Sequence, residues 1–400
     1  LIHVYANKFP SFLSRLKHGY EQVYQQARLM PRILGAYIKI ERAFVRGGTL
    51  VVTPGYMDTC DPAKEYDVDV ENVRAYIVLQ EHFLQLIHCE DYLHDNPDVG
   101  IKVLDYIDKV AARARGDDLS RLRNRVIIFT APEWLPHLKV KNNRGFKNVI
   151  TGRLLCPITK LTEFDEDPEG FCRAVRDGRT KITSRDWPLF LYDEGLVVKG
   201  KIKPGLLRSP FLVQCFKVVF TGPQSAEDDV LETSKSTGKP SLSQKYNITA
   251  VTMEMILYVA SLVRSLLSSQ AGWAVKDGFF NGPQFVRSLM RSFARHSEWC
   301  SRTLDWWNDQ VYKHSDEEAC DGQQAADLMD MEDEDEYDGV LMESASPTRK
   351  MSVRLHVRSD SPEDDLPDDI RDDGDRDNAP IPDDELDAAN EESDNGGGRD

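Results

Sequence analysis

The 400-residue chain has few cysteines, and no two of them are closely spaced. The seven thiols lie at positions 60, 89, 156, 172, 215, 300 and 320, and none forms the Cys-x-x-Cys spacing of a zinc ribbon or a redox pair. An odd, scattered set of cysteines favours reduced structural thiols. We therefore expect an intracellular protein.

The sequence also lacks a long apolar run and a phosphate-binding loop. Its longest apolar stretch, Val251–Val263, contains Glu254 and is followed by Arg264. It is too short and too interrupted to cross a bilayer, so we expect a buried helix and no membrane partner. No glycine-rich loop ends in Lys-Ser or Lys-Thr, which argues against the common class of nucleoside triphosphatases.

Residues 315–400 lack the apolar side chains that a folded core requires. This segment has one aromatic residue, Tyr337, and 31 acidic against 7 basic residues, a net charge of −24. Such a composition cannot offset the chain entropy lost on folding, so we predict a disordered acidic tail. Residues 1–314 hold all six tryptophans and a net charge of +7, and we predict that they form a globular body.

The body shows the apolar spacing of helices and no convincing β-alternation. Asn96–Pro97 and Ser209–Pro210 each place a capping residue before a proline, which predicts a helix start. We predict a mainly α fold, a single domain of about nine helices with an irregular, proline-rich middle over residues 131–167. One long helix is predicted over Val70–Leu93, and another from Pro97 to a stop at Gly116.

Several short motifs follow one another between Arg144 and His314. In this order and at these spacings they resemble an uncharacterised family of fungal, chiefly basidiomycete, proteins found as many diverged copies. The resemblance covers about residues 20–314 and departs from the family's pattern at 195–205 and 224–246. It implies one folded unit of fungal origin, and it transfers no catalytic residue because the family has no established activity. The motifs are Arg144–Phe146, Thr151–Pro157, Asp186–Tyr192, Val218–Pro223, Leu257–Ala260, Trp306–Asn308 and Gln310–Val311.

The densest group of metal-ligating side chain types is His82, His88, Cys89 and His94. On a helix, a spacing of six residues turns successive histidines by about 240°, so one face cannot collect them. We favour surface histidines over a metal site. We expect no metal and no cofactor.

The candidate nucleophile and the candidate acids also have structural explanations that need no catalysis. Cys156 would need a nearby base, and His137 is the closest in sequence; a buried thiol beside Pro157 is the favoured interpretation. The acidic residues 165, 166, 167 and 169 can ligate a metal, but they also suit the N-terminus of a helix that starts at a proline. We name no catalytic residue and lean against an enzyme. The four acids are Asp165, Glu166, Asp167 and Glu169.

Eleven basic residues lie within 45 positions and flank Trp134 and Phe146. Such a set can contact phosphate groups, with an aromatic ring available for stacking. A solvated helix face, balanced by aspartates at 105, 108, 117 and 118, is the favoured interpretation. The candidate phosphate contacts are Lys109, Arg113, Arg115, Arg121, Arg123, Arg125, Lys139, Lys141, Arg144, Lys147 and Arg153.

Two further features suit partners or regulation. Trp299, Trp306 and Trp307 recur at roughly helical spacing, which predicts core packing or, alternatively, partner docking. In the tail, Ser346 precedes a proline and Ser361 precedes acids, so both are candidate phosphorylation sites. The basic, partly apolar segment 349–358 is either a docking or import element or solvated linker.

These observations support two main hypotheses. The first is a non-enzymatic helical interaction protein whose acidic tail modulates the binding of protein partners. The second is a nucleic-acid-associated protein in which residues 109–153 contact phosphates and the tail competes for the same surface. A hydrolase or nuclease that uses Cys156 or the 165–169 acids is the least favoured of the three.

Overall fold

A computed structural model describes residues 10–62, 66–227 and 240–312 of the chain. The predictions for the acidic tail, including those for Ser346 and Ser361, lie outside these residues. The mainly α class is confirmed, because helices make up most of the described chain.

Eight helices of nine or more residues carry the architecture, and we number them in chain order. They are α1 (Pro10–Leu34), α2 (Val68–His82), α3 (Pro97–Leu122), α4 (Pro168–Arg176), α5 (Pro210–Phe220), α6 (Met253–Leu267), α7 (Gly282–Arg295) and α8 (Ser297–Tyr312).

Shorter helical segments connect them, so the described chain has more helices than the nine predicted. The α-helical segments are Ile40–Arg42, Gly48–Val52, Tyr56–Thr59, Leu84–Ile87, Glu90–Asp95, Arg125–Ile128, Leu135–Leu138, Val149–Leu155, Leu161–Glu166, Pro223–Glu227 and Leu242–Tyr246, with a π-helix at Ala43–Gly47. The 3₁₀ turns are Pro132–Trp134, Lys141–Asn143, Gly145–Lys147, Ile158–Lys160, Leu189–Leu191 and Glu194–Leu196. Two short strands, Lys276–Asp277 and Phe280–Asn281, pair antiparallel, with Lys276 opposite Asn281.

Helix α6 lies at the centre of the core. All of its residues except Glu254 and Ser265 are buried. It packs against α1, α3, α5 and α7, and also against the Val149–Leu155 segment. The apolar stretch Val251–Val263 is therefore the buried helix that the sequence predicts. Of the helices in the described parts, none has both the length and the apolar content required to cross a bilayer.

The two predicted helix starts are both present, but only one has the expected cap. Ser209 Oγ accepts a hydrogen bond from the Leu212 amide at 3.3 Å. The Asn96 side chain does not cap α3, because its amide donates to the Tyr92 carbonyl at 3.0 Å instead. At this second site the helix start is predicted correctly by the proline at the first helical position, and not by a cap.

Two predicted helix boundaries are wrong. The predicted helix over Val70–Leu93 is broken at Phe83, a buried residue with φ −127° and ψ 53°. Periodicity gives no sign of this break, since Leu79, Phe83 and Leu86 would share a face on a continuous helix too. Conversely, α3 continues through Gly116 because its buried face extends to Leu122, and this packing outweighs the cost of one helical glycine, about 1 kcal/mol.

Candidate binding cleft

A cleft of about 620 Å³ opens beside the N-terminus of α5. Its lining comes from five separate stretches of chain, which meet only in the fold. Half-buried side chains form the accessible walls, and fully buried ones form the floor. The wall residues are Val149, Ile150, Leu154 and Phe211, and the floor residues are Phe164, Leu189 and Phe190.

Two of the sequence motifs are joined directly under this cleft. The Leu189 amide donates to the Cys156 carbonyl at 2.9 Å, and the Ile158 amide donates to the Trp187 carbonyl at 3.1 Å. The Trp187 indole N–H then reaches Ser288 Oγ on α7 at 3.0 Å. The motifs Thr151–Pro157 and Asp186–Tyr192 therefore hold the cleft floor in place.

The rim of the cleft is charged and mainly acidic. Arg153 donates to both carboxylate oxygens of Glu194 at 3.0 Å, and to Asp165 Oδ1 at 3.2 Å. The hydrogen bond to Glu194 is the largest influence that raises the pKa of Arg153, so this guanidinium stays charged. Glu133 and Asp193 complete the rim, which thus has four carboxylates and one guanidinium.

Arg144, nine residues before Arg153, has the opposite surroundings. Its side chain is fully buried and donates to the carbonyls of Leu138 at 2.6 Å, Leu266 at 2.8 Å and Arg123 at 2.9 Å. These carbonyls lie at the C-terminal ends of Leu135–Leu138, α6 and α3, where helices leave carbonyls without an intrahelical partner and the dipole favours a cation. The prediction that Arg144 contacts phosphate is wrong, because its donors face three helix ends.

Gly145 allows the chain to make this turn. Its φ is +69°, in the left-handed region that favours glycine. A β-carbon there would also lie 3.1 Å from the Ser269 amide nitrogen, near the end of α6. The Arg144–Phe146 motif is therefore explained by the docking of this turn on the ends of α3 and α6.

The other ten basic candidates differ in their exposure and in their partners. Arg115, like Arg153, has hydrogen-bond partners within the fold. It donates to the Ala36 carbonyl at 3.0 Å, and its guanidinium lies over the Trp273 ring. Lys109 pairs with Asp105, Lys147 bonds Asn142, and Arg125 bonds the Arg121 carbonyl. Arg113, Arg121, Arg123 and Lys139 are exposed. Lys141 is half-buried, and burial, with Arg144 and Arg123 nearby, lowers its pKa to about 8.

The two aromatic rings that flank this basic region differ in exposure. Trp134 is 38% exposed and contacts the edge of His137. Phe146 packs against Phe171, within the small apolar cluster that also contains Cys156. Of these two rings, Trp134 is the more exposed.

The surroundings of the candidate metal ligands and of Cys156 favour neither a metal site nor a reactive thiol. His82, His88 and His94 are exposed, and within the described ranges no group of three His, Cys, Asp or Glu side chains could hold a metal ion. Cys156 is fully buried, and burial, with Asp165 and Glu163 nearby, raises the pKa of its thiol well above its ordinary value. This thiol stays protonated at neutral pH and is a poor nucleophile.

The acids at 165–169 divide between the cleft and a helix cap. Asp165 lies on the cleft rim, while Asp167 Oδ1 accepts from the Gly170 amide at 2.9 Å and caps α4. Glu169 lies in the first turn of α4. The interpretation of Asp167 and Glu169 as partners of a helix N-terminus agrees with this geometry.

Asp118, which is expected on a solvated helix face, lies instead in a buried hydrogen-bond network. Asp118 accepts from Arg32 at 2.8 and 2.9 Å and from the Tyr258 hydroxyl at 2.7 Å, and all three side chains are buried. A signal existed in the sequence. Position 118 continues the apolar face of α3 defined by residues 107, 111, 114 and 122, and an acid on that face needs a buried partner.

The tryptophans of α8 pack mainly into the core. Trp299 stacks on Phe293 with ring centroids 4.5 Å apart, and Trp307 donates its indole N–H to the Leu207 carbonyl at 2.7 Å. Trp306 is half-buried, under the Arg208 guanidinium. Trp299 and Trp307 are therefore core residues and are not free to dock a partner.

The fold and the cleft define a mainly α protein with a recess large enough for a ligand and a mainly acidic rim. A protein-family model described as a family of unknown function, DUF6698, matches residues 109–312. That is about half of the chain, and it includes the cleft, so the protein belongs to this family. Neither the comparison with curated proteins nor that with solved structures gives a match.

Proposed function

We propose that the chain is a non-enzymatic helical interaction protein that holds a protein partner in the cleft between Val149 and Phe211. The supporting observation is the composition of the cleft. Its walls are apolar, its rim is charged, and the residues that line it include no cysteine or histidine. Ser209 lines it too, but its hydroxyl caps α5. The cleft therefore offers apolar and charged binding groups but no Ser–His or Cys–His pair.

A photo-cross-linking experiment tests this proposal. A photoreactive phenylalanine analogue replaces Phe211 in the full-length chain, and a matched protein carries it at Ile101, an exposed apolar position on α3. We expect specific protein adducts from position 211 and none from position 101. Equal adducts from both positions, or none from 211, would contradict a docking role for the cleft.

In the same proposal the acidic tail modulates partner binding, and the protein is intracellular and of fungal origin. The tail carries a net charge of −24 beside a body of +7, so it is expected to alter the encounter with any charged partner. Ending the chain at His314 tests this part. We expect a changed partner affinity with a reduced salt dependence, and identical affinity would remove the tail from the proposal.

An alternative function is association with nucleic acid through the basic region. It is favoured by Arg123 and Lys141, which have no ion pair within the described ranges, and by the exposed ring of Trp134. Gel shifts with single-stranded RNA and DNA at low salt test it, with the charge-reversed variant Arg123→Glu beside the wild type. We expect the variant to bind less and a chain ending at His314 to bind more. No shift of any probe by the wild type or the shortened chain would contradict this alternative.

A further inference from the structure

We infer that the cleft takes a basic, partly apolar peptide segment, and that Arg153 is the cleft's own competitor for that ligand. The inference rests on the proposed interaction function and extends it by naming the chemistry of the partner.

The walls of the cleft suit apolar side chains of a peptide. Val149, Ile150, Leu154 and Phe211 are half-buried, so each presents apolar surface that an inserted side chain would cover. The volume, about 620 Å³, lies in the range of pockets that enclose a small ligand. Apolar anchors in such a recess are the usual source of affinity in an interface.

The rim selects the charge of the ligand. Four carboxylates and a single guanidinium line the cleft, so a phosphate or an acidic peptide would be repelled, whereas lysine or arginine side chains would be attracted. Glu133 is exposed and has no ion pair among the residues that the structure describes. The rim is therefore complementary to a basic segment.

Arg153 now occupies the position that a ligand cation would take. Its guanidinium binds Glu194 through two parallel hydrogen bonds and reaches Asp165 on the other side. An arginine of the ligand can make the same bidentate contact. Removing Arg153 should consequently free two carboxylates and strengthen binding of a basic peptide, whereas a phosphate-binding role for Arg153 predicts a loss.

Selection from a random peptide library tests the ligand class. A phage-displayed library is selected on the immobilised full-length chain and counter-selected on Leu154→Trp, a variant that fills the cleft and whose fold is checked by circular dichroism. We expect enrichment of sequences that combine lysine or arginine with leucine or aromatic residues. Enrichment of acidic sequences, or none above the counter-selection, would overturn the inference.

Titration of a selected peptide then tests Arg153. Fluorescence anisotropy is measured on the full-length wild type, Arg153→Ala, Glu194→Gln and a control, Arg179→Ala, which removes an exposed arginine of another ion pair. We expect Arg153→Ala to bind about two- to five-fold tighter, Glu194→Gln to bind more weakly and the control to be unchanged. Weaker or unchanged binding by Arg153→Ala would overturn the competitor role.

The two experiments separate the inference from the proposed function. The acidic tail is the same in all these variants, so any peptide that it binds contributes equally and the differences report on the cleft. Protein adducts at position 211 together with acidic selected peptides would leave the interaction function standing and overturn only the ligand class. Absence of both adducts and peptides would contradict both.

Discussion

Arg144 and Arg153 belong to the same basic stretch of sequence, yet the fold uses them in opposite ways. Arg144 is fully buried and its donors meet neutral carbonyls at three helix ends. Arg153 lies on the cleft rim and its donors meet two carboxylates that face solvent. The comparison teaches that a cluster of bases in sequence is not a surface until burial and partners are known. It also separates residues that hold the fold from residues that can act on a ligand.

The largest expected effect comes from Arg144. The variant Arg144→Ala leaves the carbonyls of Leu138, Leu266 and Arg123 without their donor and opens a buried space, so we expect it to lower the free energy of unfolding by about 3–5 kcal/mol. Urea denaturation of the full-length chain measures this. Arg153→Ala is the matched control, and an equal loss in both variants would remove the distinction between the two arginines.

A slightly smaller effect is expected at Asp118. Asp118→Asn removes the negative charge and one carboxylate oxygen from the buried contacts with Arg32 and Tyr258, and it leaves the Arg32 charge uncompensated, a cost of about 3 kcal/mol. Its neighbour Asp117 pairs with Arg28 at the surface, so Asp117→Asn should cost less than about 1 kcal/mol. Chemical denaturation of both variants compares a buried pair with an exposed one at adjacent positions. Similar losses would contradict the assignment of Asp118 to the core.

Burial of Glu71 predicts that the stability of the fold depends on pH. Glu71 lines a small cavity beside Tyr66, and burial raises its pKa to about 7, although Arg287 opposes the shift. The folded state therefore holds this proton more tightly than the unfolded state, and stability should be lost as pH rises from about 5 to 8. Glu71→Gln should remove this loss, so its stability relative to wild type should increase with pH. Urea denaturation at several pH values measures it, and a constant difference would contradict the burial of this carboxyl.

The smallest expected effect on stability is that of Arg153→Ala. Its partners are about half exposed, so solvent screens the ion pairs and the cost should stay below about 1 kcal/mol. Thermal unfolding of the variant checks this. A loss comparable to that of Arg144→Ala would mean that Arg153 is a structural residue too.

Part of the fold follows from local patterns in the sequence. The buried helix α6 follows from an apolar stretch, and the starts of α3 and α5 follow from prolines at the first helical position. The break at Phe83 does not follow, because the same apolar face is present on either side of it. The single turns in residues 131–167 also depend on tertiary contacts, such as those of Arg144, that no local pattern contains.

The candidate site was less accessible to prediction from sequence. The sequence singles out Arg153 and Asp165, but as members of two different hypotheses, phosphate contact and metal binding. No local pattern singles out Glu133, Glu194 and Phe211, because they line one cleft with Arg153 only after residues 130–211 fold. Asp118 carried a usable signal, since it interrupts an otherwise apolar helix face.

The most direct test of the contrast between Arg144 and Arg153 is the affinity of the full-length Arg153→Ala protein for a basic peptide selected on the wild type. If Arg153 competes with the ligand for Glu194 and Asp165, the variant binds the peptide more tightly than the wild type does. If the variant binds it equally or more weakly, Arg153 does not compete with the ligand, and the distinction between Arg144 as a residue that holds the fold and Arg153 as a residue that acts on a ligand is contradicted.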